Sequence, residues 1–278
     1  MDRGGRHSIE GSGPPIVLLH GFANCRESWR AFGLVERLVE AGRQVVLIDA
    51  RGHGKSEKPY DMESYADAKR AGDVIAVLDA LDIKAVDLCG YSMGGWIALA
   101  VASFYAHRVR SLIAIGAHGY AQNLSTFRSA LGDNLDGWIG HIEMASGRPI
   151  SPTLRNQLLT NDVDALWASV ALDRTDLSGD VADARCPALL ICGDRDPLWP
   201  DIVRFGRWIS AWTVTLPGRN HFTMLGATNE IVSALMSFLN FVDKEQADPP
   251  RARYRPKRLL MADTPIVIET DEPREEAA

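Results

Sequence analysis

The sequence predicts an α/β fold: a mostly parallel sheet with helices on both faces and a small helical insertion. Three observations predict it. Short, almost wholly apolar runs alternate with segments of helical periodicity, as strands buried on both faces of a parallel sheet do. The run Val86-Asp87-Leu88-Cys89-Gly90-Tyr91 passes directly into the alanine-rich, helix-length run that starts at Met93, with Ser92 at the junction. The strand–helix rhythm then stops after Gly119 and resumes at Ala188.

Taken in order, Gly11-Ser12-Gly13-Pro14-Pro15 is a turn cluster, and Ile16-Val17-Leu18-Leu19-His20 is the first visible buried strand. Residues 28–40 form an amphipathic helix closed by Gly42, followed by the strand Gln44-Val45-Val46-Leu47-Ile48-Asp49. Residues 51–56 are a glycine-rich loop. Residues 64–81 carry Tyr65, Ala68, Ala71, Val74, Ile75 and Leu78 on one helical stripe. After the strand–helix pair around Ser92, residues 109–115 are another buried strand. Residues 120–184 show helical stretches with breakers at Gly147-Arg148-Pro149 and Ser151-Pro152, too long for a simple loop. A strand over 188–192, a helix over 201–210, a strand over 213–216 and a helix over 229–241 complete the pattern. The expected division is a core in two parts, residues 1–118 and 186–243, a helical insertion over 119–185, and a tail over 244–278. The tail's clustered arginines, acidic residues and prolines predict disorder, with a self-pairing or partner-binding arm as the alternative.

Composition narrows the function classes. A net charge of −6 with no basic stripe in the body argues against nucleic-acid binding, and no apolar run reaches the length of a membrane span. Of the four cysteines none forms a C-x-x-C pair, and Cys89 and Cys192 fall in strand runs, where a reduced, buried thiol is expected. Met1 to His7 contains no apolar signal-peptide core, so a reducing, cytoplasmic setting is the expectation. The sequence leaves oligomeric state open.

The chemistry centres on Gly90-Tyr91-Ser92-Met93-Gly94, a G-x-S-x-G. The bare pattern is common; its place between strand and helix makes it informative. Such a sharp turn strains the residue at its apex and projects that side chain out of the sheet, while flanking glycines avoid a Cβ clash. Met93 opens the helix, so its N–H points at whatever reacts at Ser92. A serine hydroxyl needs a base within hydrogen-bond reach, and the base needs a carboxylate to fix its tautomer. His221 follows the last strand and Asp196 the one before, which puts both at the carboxyl edge of the sheet with Ser92. Asp194, two residues earlier, is the rival carboxylate. His20 and His53 read as loop-ordering residues. His118, Trp138, Trp167, Trp199 and Phe222 are candidates for the substrate pocket. No ligand cluster suggests a metal, and the chemistry calls for no organic cofactor.

Over residues 11–243 the chain resembles the α/β-hydrolase family. The matching pieces are His20-Gly21-Phe22, Asp49-Ala50-Arg51-Gly52-His53-Gly54-Lys55-Ser56, the Gly90-to-Gly95 turn, Gly193-Asp194-Arg195-Asp196-Pro197 and Gly218-Arg219-Asn220-His221-Phe222. The resemblance implies Ser92 as nucleophile, Asp196 as orienting acid, His221 as base, and the Phe22 and Met93 N–H groups as an oxyanion hole. The insertion resembles the family's cap domain, which shapes the pocket. Relatives resembling dehalogenases or epoxide hydrolases carry aspartate at the turn, so Ser92 disfavours that chemistry. Members usually begin with an antiparallel hairpin; only fifteen residues precede Ile16, so a missing edge strand or a start further upstream is expected. The reading is a carboxylesterase-like serine hydrolase acting on a small to medium ester, thioester or lactone as its small-molecule substrate. Carbon–carbon bond hydrolysis, cofactor-free haloperoxidase or perhydrolase chemistry, and a ligand-binding receptor on the same scaffold are the alternatives.

Overall fold

The computed structural model describes residues 7–132 and 134–247. Its seven strands are β1 (His7–Glu10), β2 (Pro15–Leu19), β3 (Gln44–Ile48), β4 (Val86–Tyr91), β5 (Val109–Ile115), β6 (Ala188–Gly193) and β7 (Trp212–Leu216). They form one sheet in the order β1-β3-β2-β4-β5-β6-β7, parallel throughout except for β1, which runs antiparallel to β3. The sequence does contain an edge strand: His7 pairs with Ile48 and Ile9 with Val46. Its four residues alternate too weakly to stand out in the sequence.

The helices are α1 (Ser28–Ala31), α2 (Leu34–Glu40), α3 (Asp67–Ala80), α4 (Met93–Phe104), α5 (Ser125–Leu131), α6 (Leu135–Ser146), α7 (Pro152–Leu159), α8 (Val163–Val170), α9 (Ser178–Ala184), α10 (Trp199–Ile209) and α11 (Thr228–Ala247). Successive strand side chains point to opposite faces, so each strand feeds two cores. Val17, Leu19, Leu88, Leu112 and Leu190 join α3, α4, α9 and α10 on one face. Ile16, Leu18, Cys89, Ile113 and Ile191 join α1, α2 and α11 on the other. A fully buried side chain such as Phe205 or Phe238 contributes roughly 1.5–3 kcal/mol.

Four boundaries differ from the sequence reading. The helix expected over 28–40 is split into α1 and α2 by Gly33, whose φ of 68° lies in the left-handed region. The helix expected from Ser64 begins at Asp67, after a 3-10 turn over Met62–Tyr65 capped by the Asp61 carboxylate. α10 starts two residues early, with Pro200 in its first turn, where a missing N–H costs nothing. α11 runs on through residues assigned to the tail, because Val242 is buried and Asp243 pairs with Arg43 and Arg110. Residues 248–278, the bulk of the expected tail, lie outside the described residues, as do residues 1–6, most of the stretch on which the signal-peptide expectation rests.

The segment between β5 and β6 is helical, as expected, but it divides. α9 packs against α4 and so belongs to the helical layer over the sheet. Helices α5 to α8 stand over the carboxyl edge, entering and leaving through a neck where Gln122 and Arg174 exchange backbone hydrogen bonds of 3.2 and 2.9 Å. Their apolar residues Leu131, Leu135, Trp138 and Leu166 join the core that contains Phe22 and Met93.

The close approach of α4 to β2 sets the strictest limit on the sequence. A Cβ at Gly94 would lie 2.0 Å from Leu19 O, whereas one at Gly140, inside α6, would meet nothing within 4 Å. Gly94→Ala is therefore expected to lower the melting temperature by about 5 °C or more, as overpacking of 1–3 kcal/mol implies. Gly140→Ala should leave it unchanged or raise it. Thermal melts of both variants check this, and an undisturbed Gly94→Ala would contradict the packing.

Candidate active site

The candidate residues come from loops that leave the carboxyl ends of parallel strands, so topology alone delivers them to one edge. Ser92 follows β4 directly and caps α4 with φ 53° and ψ −111°, a conformation that costs a non-glycine residue on the order of 1–3 kcal/mol. Its N–H donates to Ile115 O at 2.8 Å, which ties the turn to β5. A Cβ at Gly90 would lie 2.1 Å from Gly94 O, so the turn closes only with glycine there.

The structure brings Ser92, His221 and Asp196 together. His221 Nε2 lies 2.8 Å from Ser92 Oγ, and His221 Nδ1 lies 2.8 Å from Asp196 Oδ2. With the ring's Nδ1–H donating to the carboxylate, Nε2 is left to accept the serine proton. Asp196 is buried, and its Oδ1 accepts the Leu198 N–H at 2.9 Å. Asp194 is exposed and braces the neighbouring loop, accepting the Gly218 N–H at 2.7 Å. Tyr91 donates its hydroxyl to His221 O at 2.6 Å, and burial pushes its phenol far up, so the donor stays protonated. Gly116, which the sequence reading missed, leaves the imidazole its room: a Cβ there would stand 3.2 Å from His221 Cε1.

Phe22 and Met93, the two residues expected to offer N–H groups, follow β2 and head α4, and both line a cavity of about 130 Å³. The loop of Phe22 is built from the motif residues around it. His20 Nδ1 donates to Gly21 O at 2.8 Å while its Nε2 accepts the Ala50 N–H at 3.1 Å. Buried Asp49 accepts the Arg26 and Lys55 N–H groups at 2.8 and 3.1 Å, joining the loops after β2 and β3. His53 is buried beside His20, with ring centroids 5.3 Å apart.

Of the five pocket candidates, two border the site. Trp138 meets Phe22 edge to face at 5.0 Å, and Phe222 stands between Trp138 and His221. The other three do not. Trp167 donates its indole N–H to Gly132 O and faces an outer groove beside Tyr60 and Met62. Trp199 is held by a bond from its indole to Thr215 Oγ1 of β7. His118 Nδ1 accepts the Tyr120 N–H at 3.2 Å, and its Nε2 stands 3.0 Å from the Gln122 side-chain amide. Each is drawn away by a polar partner that the sequence does not reveal. In their place the cavity is lined by Arg70, Trp96 and Arg174. Arg70 could have been noticed, since it continues the Val74–Leu78 stripe of α3 one turn toward its start.

The model of the family described as the alpha/beta hydrolase fold matches residues 14–162, and the chain belongs to that family. Over 82 % of its length it is 27 % identical to the dihydrolipoyllysine-residue acetyltransferase component of an acetoin cleaving system from Pseudomonas putida, of which the match covers 64 %. Over 64 % of its length it is 30 % identical to a 2-hydroxy-6-oxo-2,4-heptadienoate hydrolase, also from Pseudomonas putida, of which the match covers 56 %. The chain thus spans less than two thirds of these curated relatives. A bromoperoxidase from Bacillus anthracis superposes with a TM-score of 0.73 at 25 % identity, covering 84 % of this chain and 94 % of that one. Among the described residues no helix is long and apolar enough to cross a membrane, and no His, Cys, Asp and Glu group forms a metal site.

Burial lowers the pKa of His20, takes His53 well below its ordinary value and brings His118 to about 4. All three are neutral in the folded state, whereas in the unfolded chain they titrate near about 6.5. Below that pH the unfolded state binds more protons, so stability rises with pH and falls as acid is added. Melting temperatures should be flat above about pH 7 and drop between about pH 6.5 and 5, each histidine removing up to about 1.4 kcal/mol per pH unit. A melting temperature unchanged across that window would contradict the neutral, buried assignment.

Proposed function

We propose that the protein is a serine hydrolase that cleaves an ester, thioester or lactone of small to medium size through an acyl-enzyme on Ser92. The observation that carries this reading is the chain of two 2.8 Å hydrogen bonds from Ser92 through His221 to Asp196. His221 Nε2 takes the proton as Ser92 Oγ attacks the carbonyl carbon, and the buried Asp196 carboxylate stabilises the imidazolium that forms. The Phe22 and Met93 N–H groups receive the oxyanion, each worth roughly 3 kcal/mol in comparable sites. His221 then gives its proton to the leaving group. In the second half it draws a proton from water, which attacks the acyl carbon and releases the acid and free Ser92. Helices α5 to α8 act as a cap, with Trp138 and Phe222 walling the reaction from solvent.

A second reading is hydrolysis of a carbon–carbon bond beside a ketone, which uses the same three groups. It is supported by the relative named for 2-hydroxy-6-oxo-2,4-heptadienoate, a compound without an ester bond.

Steady, multiple turnover of p-nitrophenyl acetate and butyrate is expected, and Ser92→Ala should lose at least about a thousandfold of it with an unchanged melting temperature. A single stoichiometric burst followed by silence would instead point to a receptor, and full activity of Ser92→Ala would remove the mechanism. Asp196→Asn should cost about ten-thousandfold in turnover by leaving His221 in the wrong tautomer. Asp194→Asn should act mainly on the melting temperature, by releasing the Gly218 N–H. An inactive Asp194→Asn beside an active Asp196→Asn would reverse the assignment of the acid.

A further inference from the structure

The cavity beside Phe22 and Met93 carries a charge that the proposed reaction does not use. Arg70, from α3, and Arg174, from the neck of the insertion, both line it. The protein holds each guanidinium through uncharged partners. Arg70 Nε donates to Tyr65 O at 2.7 Å and Nη2 to Ser169 O, with its guanidinium carbon 5.2 Å from the Tyr65 ring centroid. Arg174 donates Nη1 to Gln122 Oε1 and lies 5.2 Å from the Trp96 ring centroid. Among the described residues neither forms an ion pair, and Arg70 Nη1 and Arg174 Nε and Nη2 have no acceptor.

Two carboxylates share the wall. Asp173 is neutralised by Arg128 at 2.8 Å and also accepts the Leu124 N–H. Asp67 spends Oδ1 on the Trp96 indole N–H at 2.8 Å and Oδ2 on the Thr175 hydroxyl at 3.0 Å. Two guanidiniums therefore face one remaining carboxylate, which leaves one positive charge in surplus. Burial lowers the two arginines to about 10 and about 9, so both remain charged at neutral pH. Both arginines line the cavity with guanidinium N–H groups that no protein acceptor takes, and an anion bound there would complete them.

We propose that the cavity binds a carboxylate carried by the substrate, and that Arg70 and Arg174 select for it. Phe22 and Met93 belong both to this wall and to the proposed oxyanion pair, which makes the cavity a neighbour of the reacting centre, while Ser92 and His221 are not part of its lining. Size limits what enters. A cavity of ~150 Å³ takes up benzene, so about 130 Å³ admits the carboxylate end of a short substrate, roughly six heavy atoms, and no long acyl chain. Because Arg70 belongs to the core and Arg174 to the neck, the bound anion also ties the insertion to the sheet. This assignment of substrate class rests on Ser92 being the reacting centre, but the anion site can be tested without turnover.

The test is calorimetric titration of succinate, its uncharged diamide and inorganic phosphate into the full chain and into Ser92→Ala, Arg174→Gln and Arg174→Lys. Succinate should bind both the wild type and Ser92→Ala in the millimolar range or tighter, with the diamide and phosphate at least about tenfold weaker. Arg174→Gln should weaken succinate by about 10- to 100-fold, and Arg174→Lys should recover most of the loss. Arg70→Gln should behave like Arg174→Gln, its folding checked by its melting temperature. Succinate bound no better than its diamide, phosphate bound in preference, or Arg174→Gln binding like the wild type would each overturn the proposal. Succinate bound as expected in a chain that turns over no ester would leave the anion site standing and remove only the ester-hydrolase reading.

Discussion

The structure depends on one close contact between backbones, where the first turn of α4 lies against the end of β2. Gly94 sits over Leu19 O and Gly90 under Gly94 O, so neither position has room for a Cβ. That contact forces Ser92 into its left-handed conformation and lifts its side chain clear of the sheet. It also sets the loop after β2 beside the head of α4, so that Phe22 and Met93 line one cavity. The strain at Ser92 persists because β2, β4 and β5 surround it and Ser92 N–H is tied to Ile115 O. Loosening any one of these strands would move the hydroxyl, both N–H groups and the cavity together.

The core was legible because it obeys two periodicities and one topological rule. Apolar runs such as Ile16 to Leu19 name parallel strands, and residues just beyond the carboxyl ends of parallel strands share an edge; that rule brings Ser92, His221 and the pair Asp194 and Asp196 together. The two aspartates after β6 were harder to separate. The structure gives Asp196 to His221 and Asp194 to the Gly218 N–H, a difference of side-chain direction within one loop. The pocket was much less legible. A tryptophan in a helical insertion can turn inward or outward according to a single partner, and Gly132 O decides it for Trp167. Helix ends failed for a related reason. Gly33 breaks a helix whose apolar spacing runs straight through it, and α11 outlasts its apolar stripe because Asp243 has distant partners.

The insertion is joined to the core by few but directed bonds. Asn161 donates to Ala23 O at 2.8 Å, Gln157 to Ser28 Oγ at 2.9 Å, and Asn220, next to His221, to Ala145 O at 2.7 Å. The first and third reach the loops that carry Phe22 and His221, and the second reaches the first residue of α1. Side chains of the insertion thereby fix the loops of Phe22 and His221 as well as covering them, and variation in α5 to α8 acts on both pocket shape and loop position.

At the opposite end of the sheet, Asp87 is fully buried in β4 and receives Arg110, Ser111 and Arg43, while Asp243 of α11 pairs with the same two arginines. Arg43 and Asp243 are 200 residues apart in the chain. During synthesis, two cations and one carboxylate are therefore in place long before the second carboxylate leaves the ribosome. Docking of the last helix is thus an electrostatic closure as well as a hydrophobic one, since Asp243 brings the second carboxylate and Val242 a buried side chain.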